Sequence, residues 1–187
     1  MRNGRRQVRL AASGWRKNAV LKWGFAALVA AAMTASVAVA QDKVKVGVLT
    51  DIGGSLSGFA GPTSVEAAKM AIEDFGGQVL GKPIEIVSAD HQNKPDVASL
   101  IARSWLDNDG VTAIVDVPNS AVALAVQGIA RERKRIALFT APATTRLINE
   151  DCSPTSFLWV FDTRAIAHGL GNAILSRGDK NWYIVAA

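Results

Sequence analysis

Short apolar runs alternate with stretches of helical periodicity from residue 41 onward, and this alternation restricts the fold more than any other feature of the chain. Such an order is typical of β-α units, whose strands lie parallel in one sheet with helices on its faces. The sequence therefore predicts an α/β fold with a doubly wound parallel sheet. Four strands are predicted, at Val44–Thr50, Pro83–Ala89, Val111–Val117 and Ile136–Thr140.

Three helices are predicted between these strands, because apolar residues recur there at spacings of three and four. The first begins near Pro62, since proline followed by hydroxyl residues favours a first helical turn, and it ends at the glycines 76–77. The second has its inner face at positions such as Val97 and Trp105, and the third runs from Ala121 to about residue 133. We expect residues 41–150 to form one lobe that contains a ligand-binding site.

A second series of elements begins after residue 150. A strand is predicted at Phe157–Phe161, a helix at Thr163–Ser176 and a further strand at Trp182–Ala187. One helix and one strand cannot bury their own apolar faces, so residues 151–187 are expected to be the crossover and the opening of an incomplete second lobe. We therefore expect weak or no ligand binding by this chain, because half of the site would be absent, and aggregation through uncovered apolar surface.

The first 40 residues have the three-part layout of a secretory signal peptide. They hold seven of the 21 basic residues and no acid, and an uncharged stretch follows Lys22 and ends in small residues. Ala38 and Ala40 suit a signal peptidase, which predicts cleavage after Ala40 and a periplasmic location. A retained membrane anchor over residues 23–40 is the alternative. Arg5 and Arg6 leave a twin-arginine export route open.

Without the leader, the chain carries 14 basic and 16 acidic residues, a net charge of −2. The basic character of the whole sequence therefore belongs to the leader and does not indicate a nucleic-acid partner. The chain has one cysteine, Cys152, so no internal disulfide is possible. Cys152 is expected to be a semi-buried small residue or to pair with a cysteine outside this chain.

Ligands of open α/β sheets bind at the carboxyl ends of the strands, and three loops predicted there are candidates for a ligand-binding site. The loop Asp51–Pro62 is rich in glycine and serine and carries Phe59, which would cover an apolar ligand group. In the loop before the third helix, Asn119 and Ser120 precede free N–H groups that attract a carboxylate or phosphate. The loop Thr140–Thr145 offers hydroxyls. For each loop, an ordinary connection or helix cap explains the residues as well.

The sequence lacks the patterns of common enzymes. No phosphate-binding P-loop and no nucleophile elbow occur, and Ser55 stands where a dinucleotide-binding loop needs its middle glycine. The two histidines, His91 and His168, are far apart, so neither a histidine-containing triad, a metal site nor a cofactor is predicted. We expect His91 to be solvated or to bond its own loop, Asp90 to shape that loop, and the basic run 131–135 to be a solvated helix end.

Several segments resemble the beginning of a type I periplasmic substrate-binding protein of ABC importers, of the branched-chain amino acid type. They are Val44–Asp51 with the following Gly-Gly, Ala67–Asp74, Gly81–Glu85, Asp90 with Pro95, and Val115–Val126. The resemblance extends from about Lys43 to the end of the chain. It covers the first lobe and the opening of the second.

The resemblance implies roles for five residues. Asn119 and Ser120 would hold the carboxylate of an amino acid, and the Pro142 carbonyl and Thr144 hydroxyl would meet its ammonium group. Phe59 would cover the ligand. Asn119-Ser120 departs from the more usual serine-rich stretch of the family, so the resemblance does not fix an amino acid as the solute. We expect a small amino acid or another small carboxylate.

The resemblance favours a receptor that binds its solute without chemistry and delivers it to ABC permease subunits in the membrane. A ligand-sensing domain of a signalling protein is the alternative, because such sensors share this fold. An exported α/β enzyme is a third hypothesis. Neither nucleic acid nor a cofactor is expected among the partners.

Overall fold

The computed structural model describes residues 43–178 and 181–183, which form alternating strands and helices. In chain order the elements are β1 Val44–Thr50, α1 Pro62–Asp74, β2 Gln78–Val79, β3 Lys82–Asp90, α2 Pro95–Asp107, β4 Val111–Asp116, α3 Ser120–Glu132, β5 Ile136–Phe139, a short 3-10 helix Thr145–Leu147, β6 Ser156–Leu158 and α4 Thr163–Leu175. The predicted strands and helices up to residue 140 are therefore all present.

The six strands form one sheet in the order β2-β3-β1-β4-β5-β6. All pairs are parallel except the short antiparallel pair of β2 and β3. From β1 the chain moves outward to β3 and then returns to the other side of β1 as β4, so the sheet is doubly wound, which confirms the predicted fold class. The winding reverses between β1 and β4, the place where open α/β sheets bind ligands.

One face of the sheet carries the apolar core. Leu49, Ile114 and Phe139 point to this face, where they are fully buried against α2 and α3. Gly47 has no side chain because a Cβ at this position would overlap the ring of Trp105. Burial of this apolar surface stabilises the two helices on the sheet.

The opposite face lies against α1, which has no fully buried residue. A groove of about 450 Å³ lies between α1 and the sheet, with Val48, Ala71 and Leu138 among its lining residues. A second hollow of about 300 Å³ lies beside it, bounded by Leu138, Thr140, Phe157 and Trp159. Large apolar side chains are exposed here, and Trp159 is 87% accessible.

Two features differ from the predictions. The two-stranded ribbon of β2 and β3 was not expected. Leu80 and Gly81 turn it with positive φ angles of 50° and 74°, and only Gly81 signals such a turn in the sequence. The strand predicted at Phe157–Phe161 is shorter, Ser156–Leu158, and pairs with β5, so it extends the same sheet instead of opening another.

The remaining predictions concern the two ends of the chain and Cys152. Trp182 and Tyr183 are not in a strand, and residues 184–187 lie outside the described residues, as does the predicted leader. Within residues 43–178 and 181–183, no helix combines the length and the apolarity needed to cross a bilayer. Cys152 is exposed and unpaired among these residues, so the expectation of partial burial was wrong.

Candidate functional site

The carboxyl ends of β1, β3, β4 and β5 meet at one edge of the sheet, where hydrogen bonds join each strand end to the next. The His91 N–H donates to the Thr50 carbonyl at 2.9 Å. The Val117 N–H donates to the Leu49 carbonyl at 3.0 Å, and the Thr140 N–H donates to the Asp116 carbonyl at 3.3 Å. The predicted loops therefore start side by side.

The β1–α1 loop is organised around the buried carboxylate of Asp51, which sequence analysis did not single out. Asp51 accepts hydrogen bonds from the N–H of Gly54 at 3.1 Å, the N–H of Leu56 at 2.7 Å and Nδ2 of Asn93 at 2.6 Å. A Cβ at position 54 would overlap this carboxylate. The only sequence signal is an aspartate at a strand end before two glycines, typical of a side-chain-stabilised turn. Phe59 lies later in the same loop and is 69% exposed.

Asn119 is the N-cap of α3. Its Oδ1 accepts hydrogen bonds from the N–H groups of Ala121 at 2.9 Å and Val122 at 3.1 Å, and its backbone carbonyl accepts from Ala123. The first-turn donors expected to face a ligand are thus partly occupied by the cap itself. Ser120 keeps its N–H and hydroxyl, for which the described residues provide no partner, at the positive end of the helix dipole.

The loop after β5 holds Pro142 buried and Thr144 half-buried. The Thr144 hydroxyl accepts a hydrogen bond from the Arg146 N–H at 3.4 Å and caps the 3-10 helix. Residues 43–178 and 181–183 offer no acceptor to the hydrogen of this hydroxyl. The neighbouring Ala143 carbonyl accepts from the Thr163 N–H at 2.7 Å, which fixes the start of α4 against this loop.

His91 is fully buried, so of the two expected states, solvated or bonded within its own loop, the second is the one present. Its Nδ1 accepts the Asn93 N–H at 3.0 Å. Burial lowers the pKa of His91, although Asp51, Asp90 and Asp116 oppose that shift. Burial therefore favours the neutral form of the imidazole.

Asp90 shapes the loop, as expected, by accepting the N–H groups of Gly53 at 3.2 Å and Gln92 at 2.7 Å. Burial raises the pKa of Asp90, but backbone donors, including those two, outweigh this effect and place the pKa below its ordinary value. The basic run at the end of α3 is only partly a solvated face. Arg133 binds Asp107 through two bonds, of 2.5 and 2.7 Å, which join α3 to α2.

The two cavities described above do not include any of the five predicted ligand residues, because they lie against the sheet face beside α1. Asp116 ends β4 and Thr140 follows β5, and both are among the residues that line the groove. In the part of the chain that the structure describes, no group of three metal-binding side chains occurs. The roles of Phe59, Asn119, Ser120, Pro142 and Thr144 toward a ligand therefore stay predictions.

Comparison with known proteins relates this architecture to a family. The family model described as periplasmic binding protein matches residues 43–187. Curated protein sequences yield no match.

The solved structures that resemble this chain include proteins of the same family. A periplasmic binding protein from Burkholderia mallei is 43% identical over 75% of this chain and 38% of its own, with a TM-score of 0.73. A branched-chain amino acid ABC transporter periplasmic ligand-binding protein from Burkholderia xenovorans is 41% identical over 73% of this chain and 36% of its own, with a TM-score of 0.69.

A solute-binding protein of an ABC transporter from Rhodopseudomonas palustris, solved with 3,4-dihydroxybenzoic acid, is 26% identical over 73% of this chain and 37% of its own, with a TM-score of 0.65. The chain thus spans little more than a third of the length of these relatives. It belongs to the periplasmic binding protein family.

Proposed function

We propose that this chain provides one lobe of an extracytoplasmic solute receptor of an ABC importer and binds a small carboxylate at the carboxyl edge of its sheet. The observation that carries the proposal is the start of α3, which lies at the reversal point of the sheet. Within the described part of the chain, the Ser120 N–H and hydroxyl have no hydrogen-bond partner. A helix start of this kind stabilises an anionic group without a basic side chain.

The other predicted residues would contact the remaining groups of the ligand. Phe59 is exposed in the adjoining loop and would cover an apolar or aromatic group. The Pro142 carbonyl and the free hydrogen-bonding capacity of Thr144 would receive an ammonium group, which amino acids have and benzoates lack. The relatives from Burkholderia xenovorans and Rhodopseudomonas palustris support one solute class each, a branched-chain amino acid and a hydroxybenzoate.

The receptor role needs no chemistry from the protein. The family resemblance implies that a second lobe completes the solute site. Closure of two lobes would exclude water and strengthen the charge-assisted bonds to the solute. ABC permease subunits would then receive the solute. Cleavage of the predicted signal peptide after Ala40 would give an exported protein that begins at Gln41. N-terminal sequencing of the exported protein would check this.

An NMR titration of the ¹⁵N-labelled chain with leucine and, separately, with benzoate tests the solute site. We expect a weak complex with a Kd of roughly 1 mM. Its formation should change the amide chemical shifts of Phe59, Ser120 and Thr144. Leucine should move Thr144 more than benzoate does, because only leucine carries an ammonium group. If neither solute moves Ser120, or if the shifts cluster around the groove beside α1, the proposed site is wrong.

Two serine variants sharpen this titration. Ser120→Ala removes the hydroxyl at the start of α3 and should weaken binding about tenfold. Ser99→Ala is the matched control, because the Ser99 hydroxyl donates to Pro95 on the exposed surface of α2. Equal binding by both variants would contradict the role of Ser120.

A further inference from the structure

Gln127 is a buried polar side chain on the otherwise apolar inner face of α3. It is 2% exposed, and its neighbours in the helix, Val126 and Ile129, are buried as well. An amide among apolar side chains costs free energy unless it is hydrogen-bonded. A methionine of similar size would pack at this position without that cost. The hydrogen-bond partners of Gln127 therefore indicate what its amide does.

The Gln127 amide holds the loop that follows β5. Its Nε2 donates hydrogen bonds to the backbone carbonyls of Leu147 at 3.2 Å and of Asp151 at 2.6 Å. Both partners are carbonyl oxygens, which can only accept, so the NH₂ end of the amide faces the loop. Gln127 thus ties α3 to two points that lie 20 and 24 positions later in the chain.

The tied segment is joined to Thr144 by its own hydrogen bonds. The Leu147 N–H donates to the Thr144 carbonyl at 3.4 Å, and the Asp151 N–H donates to the Arg146 carbonyl at 2.9 Å. Arg146 Nε also donates to the Asp151 carboxylate at 2.7 Å. A shift of Leu147 or Asp151 would therefore be passed on to Thr144.

A second fixed point of this loop lies before Thr144. The Thr140 N–H donates to the Asp116 carbonyl at 3.3 Å, and the Thr140 hydroxyl donates to the Asp116 carboxylate at 2.5 Å. Asp116 ends β4, and the chain continues from there into α3. The part of the loop that carries Pro142 and Thr144 is therefore held by Asp116 before it and by Gln127 after it.

The helix that carries Gln127 also carries Ser120. The two residues are seven positions apart, so they lie on the same face of α3, two turns or about 10 Å apart along its axis. Because α3 is one continuous helix, the bonds of Gln127 fix the loop relative to Ser120. In the proposed site, Ser120 meets the carboxylate of the solute and Thr144 meets an ammonium group.

We propose that Gln127 is a positioning residue that sets the spacing between Ser120 and Thr144 and thereby favours solutes with an ammonium group over simple carboxylates. This inference rests on the proposed function, since it concerns the selectivity of the same site. The Nε2 donors of Gln127 are used by the loop, so Gln127 acts on the solute through Thr144. A displaced loop would cost an amino acid one of its two contacts and would leave the carboxylate contact of benzoate intact.

Hydrogen exchange of the solute-free chain tests the positioning. In the wild type, the side-chain amide protons of Gln127 should exchange slowly, and rapid exchange would overturn the proposal without any variant. Gln127→Met keeps the size and removes the donor, so the Asp151 amide should exchange about tenfold faster. Ile129→Met, buried in the same helix, is the matched control and should leave this rate near that of the wild type. An unchanged rate in Gln127→Met would refute the positioning role.

NMR titrations of the full chain with leucine and with benzoate test the selectivity. Gln127→Met should raise the Kd for leucine about tenfold and the Kd for benzoate less than about twofold, whereas Ile129→Met should change neither. If the wild type binds neither solute at Ser120, the proposed function fails and this inference fails with it. If the wild type binds both solutes and Gln127→Met weakens both equally or neither, the role of Gln127 alone is refuted.

A double variant tests whether Gln127 acts through Thr144. Thr144→Val removes the hydroxyl that would meet the ammonium group, and it should weaken leucine binding by itself. Adding Gln127→Met to Thr144→Val should weaken leucine binding little further, because both changes affect the same contact. Fully additive losses would show that Gln127 acts by another route and would overturn the proposal.

Discussion

Asn93 Nδ2 donates a hydrogen bond of 2.6 Å to Asp51 Oδ2 and so joins two loops that lie 42 positions apart in the chain. Asp51 follows β1 and Asn93 follows β3, and the parallel pairing of these strands brings both to one edge. The same carboxylate holds the N–H groups of Gly54 and Leu56. A single buried acid thus fixes the shape of the glycine-rich loop that carries Phe59.

Gly54→Ala should destabilise the protein by about 2 kcal/mol, because the added methyl group overlaps the Asp51 carboxylate and forces the loop to shift. Chemical denaturation would measure the change in the free energy of unfolding. Gly58→Ala, in the same loop, is the control, since a Cβ there meets no atom within 4 Å. Equal effects of the two changes would contradict the role of Asp51.

Gly128→Ala should stabilise the protein by about 0.8 kcal/mol. Gly128 lies inside α3 with no atom within 4 Å of a Cβ, and alanine loses less backbone entropy than glycine in a helix. Gly47→Ala should have the opposite sign, because Trp105 occupies the space of its Cβ. Thermal unfolding of both variants checks the two signs, and a stabilised Gly47→Ala would show that the Trp105 contact is not as tight as described.

Asn119→Ala should cost about 1 kcal/mol, since the N–H groups of Ala121 and Val122 lose their acceptor. Asn119→Asp keeps an acceptor and adds a negative charge at the positive end of α3, so it should remain near wild-type stability. Urea denaturation of both variants would give their free energies of unfolding and so show whether Asn119 stabilises the helix start or is a loop residue without such an effect. A fully stable alanine variant would indicate the latter.

His91 should make stability depend on pH below neutrality. Burial lowers its pKa in the folded protein beneath the ordinary 6.5. The contribution of neutral His91 to the free energy of unfolding is therefore fully present above pH 6.5. It is lost as the pH falls toward the lower pKa of His91 in the folded protein, because the unfolded chain binds the proton at a higher pH. His91 adds at most about 1.4 kcal/mol per pH unit to the slope of the free energy of unfolding against pH.

Unfolding measured from pH 8 to pH 5 should show this slope in the wild type and not in His91→Gln. His168→Gln is the matched control, since His168 is exposed on α4. An unchanged pH profile in His91→Gln would mean that the folded state accepts the proton as readily as the unfolded chain does.

The fold was largely predictable because strand and helix periods are local properties. Val44–Thr50 and the α3 segment show their patterns within a few residues, and short connections leave little choice of topology. The cap at Asn119 was also predictable, because the residue type and its position before an apolar helix suffice. The β2–β3 ribbon was missed since Leu80 adopts a conformation that leucine rarely takes.

The amino-acid sequence by itself determined the α/β class, the order of the elements and the loops at the carboxyl edge. Only the tertiary structure decided what these loops bury. His91 lies in a polar sequence yet is fully enclosed, and Asp51 turns inward to bind a side chain 42 positions away. Both outcomes depend on parallel strand pairing, which places distant residues side by side, and no local pattern in a sequence contains that distance.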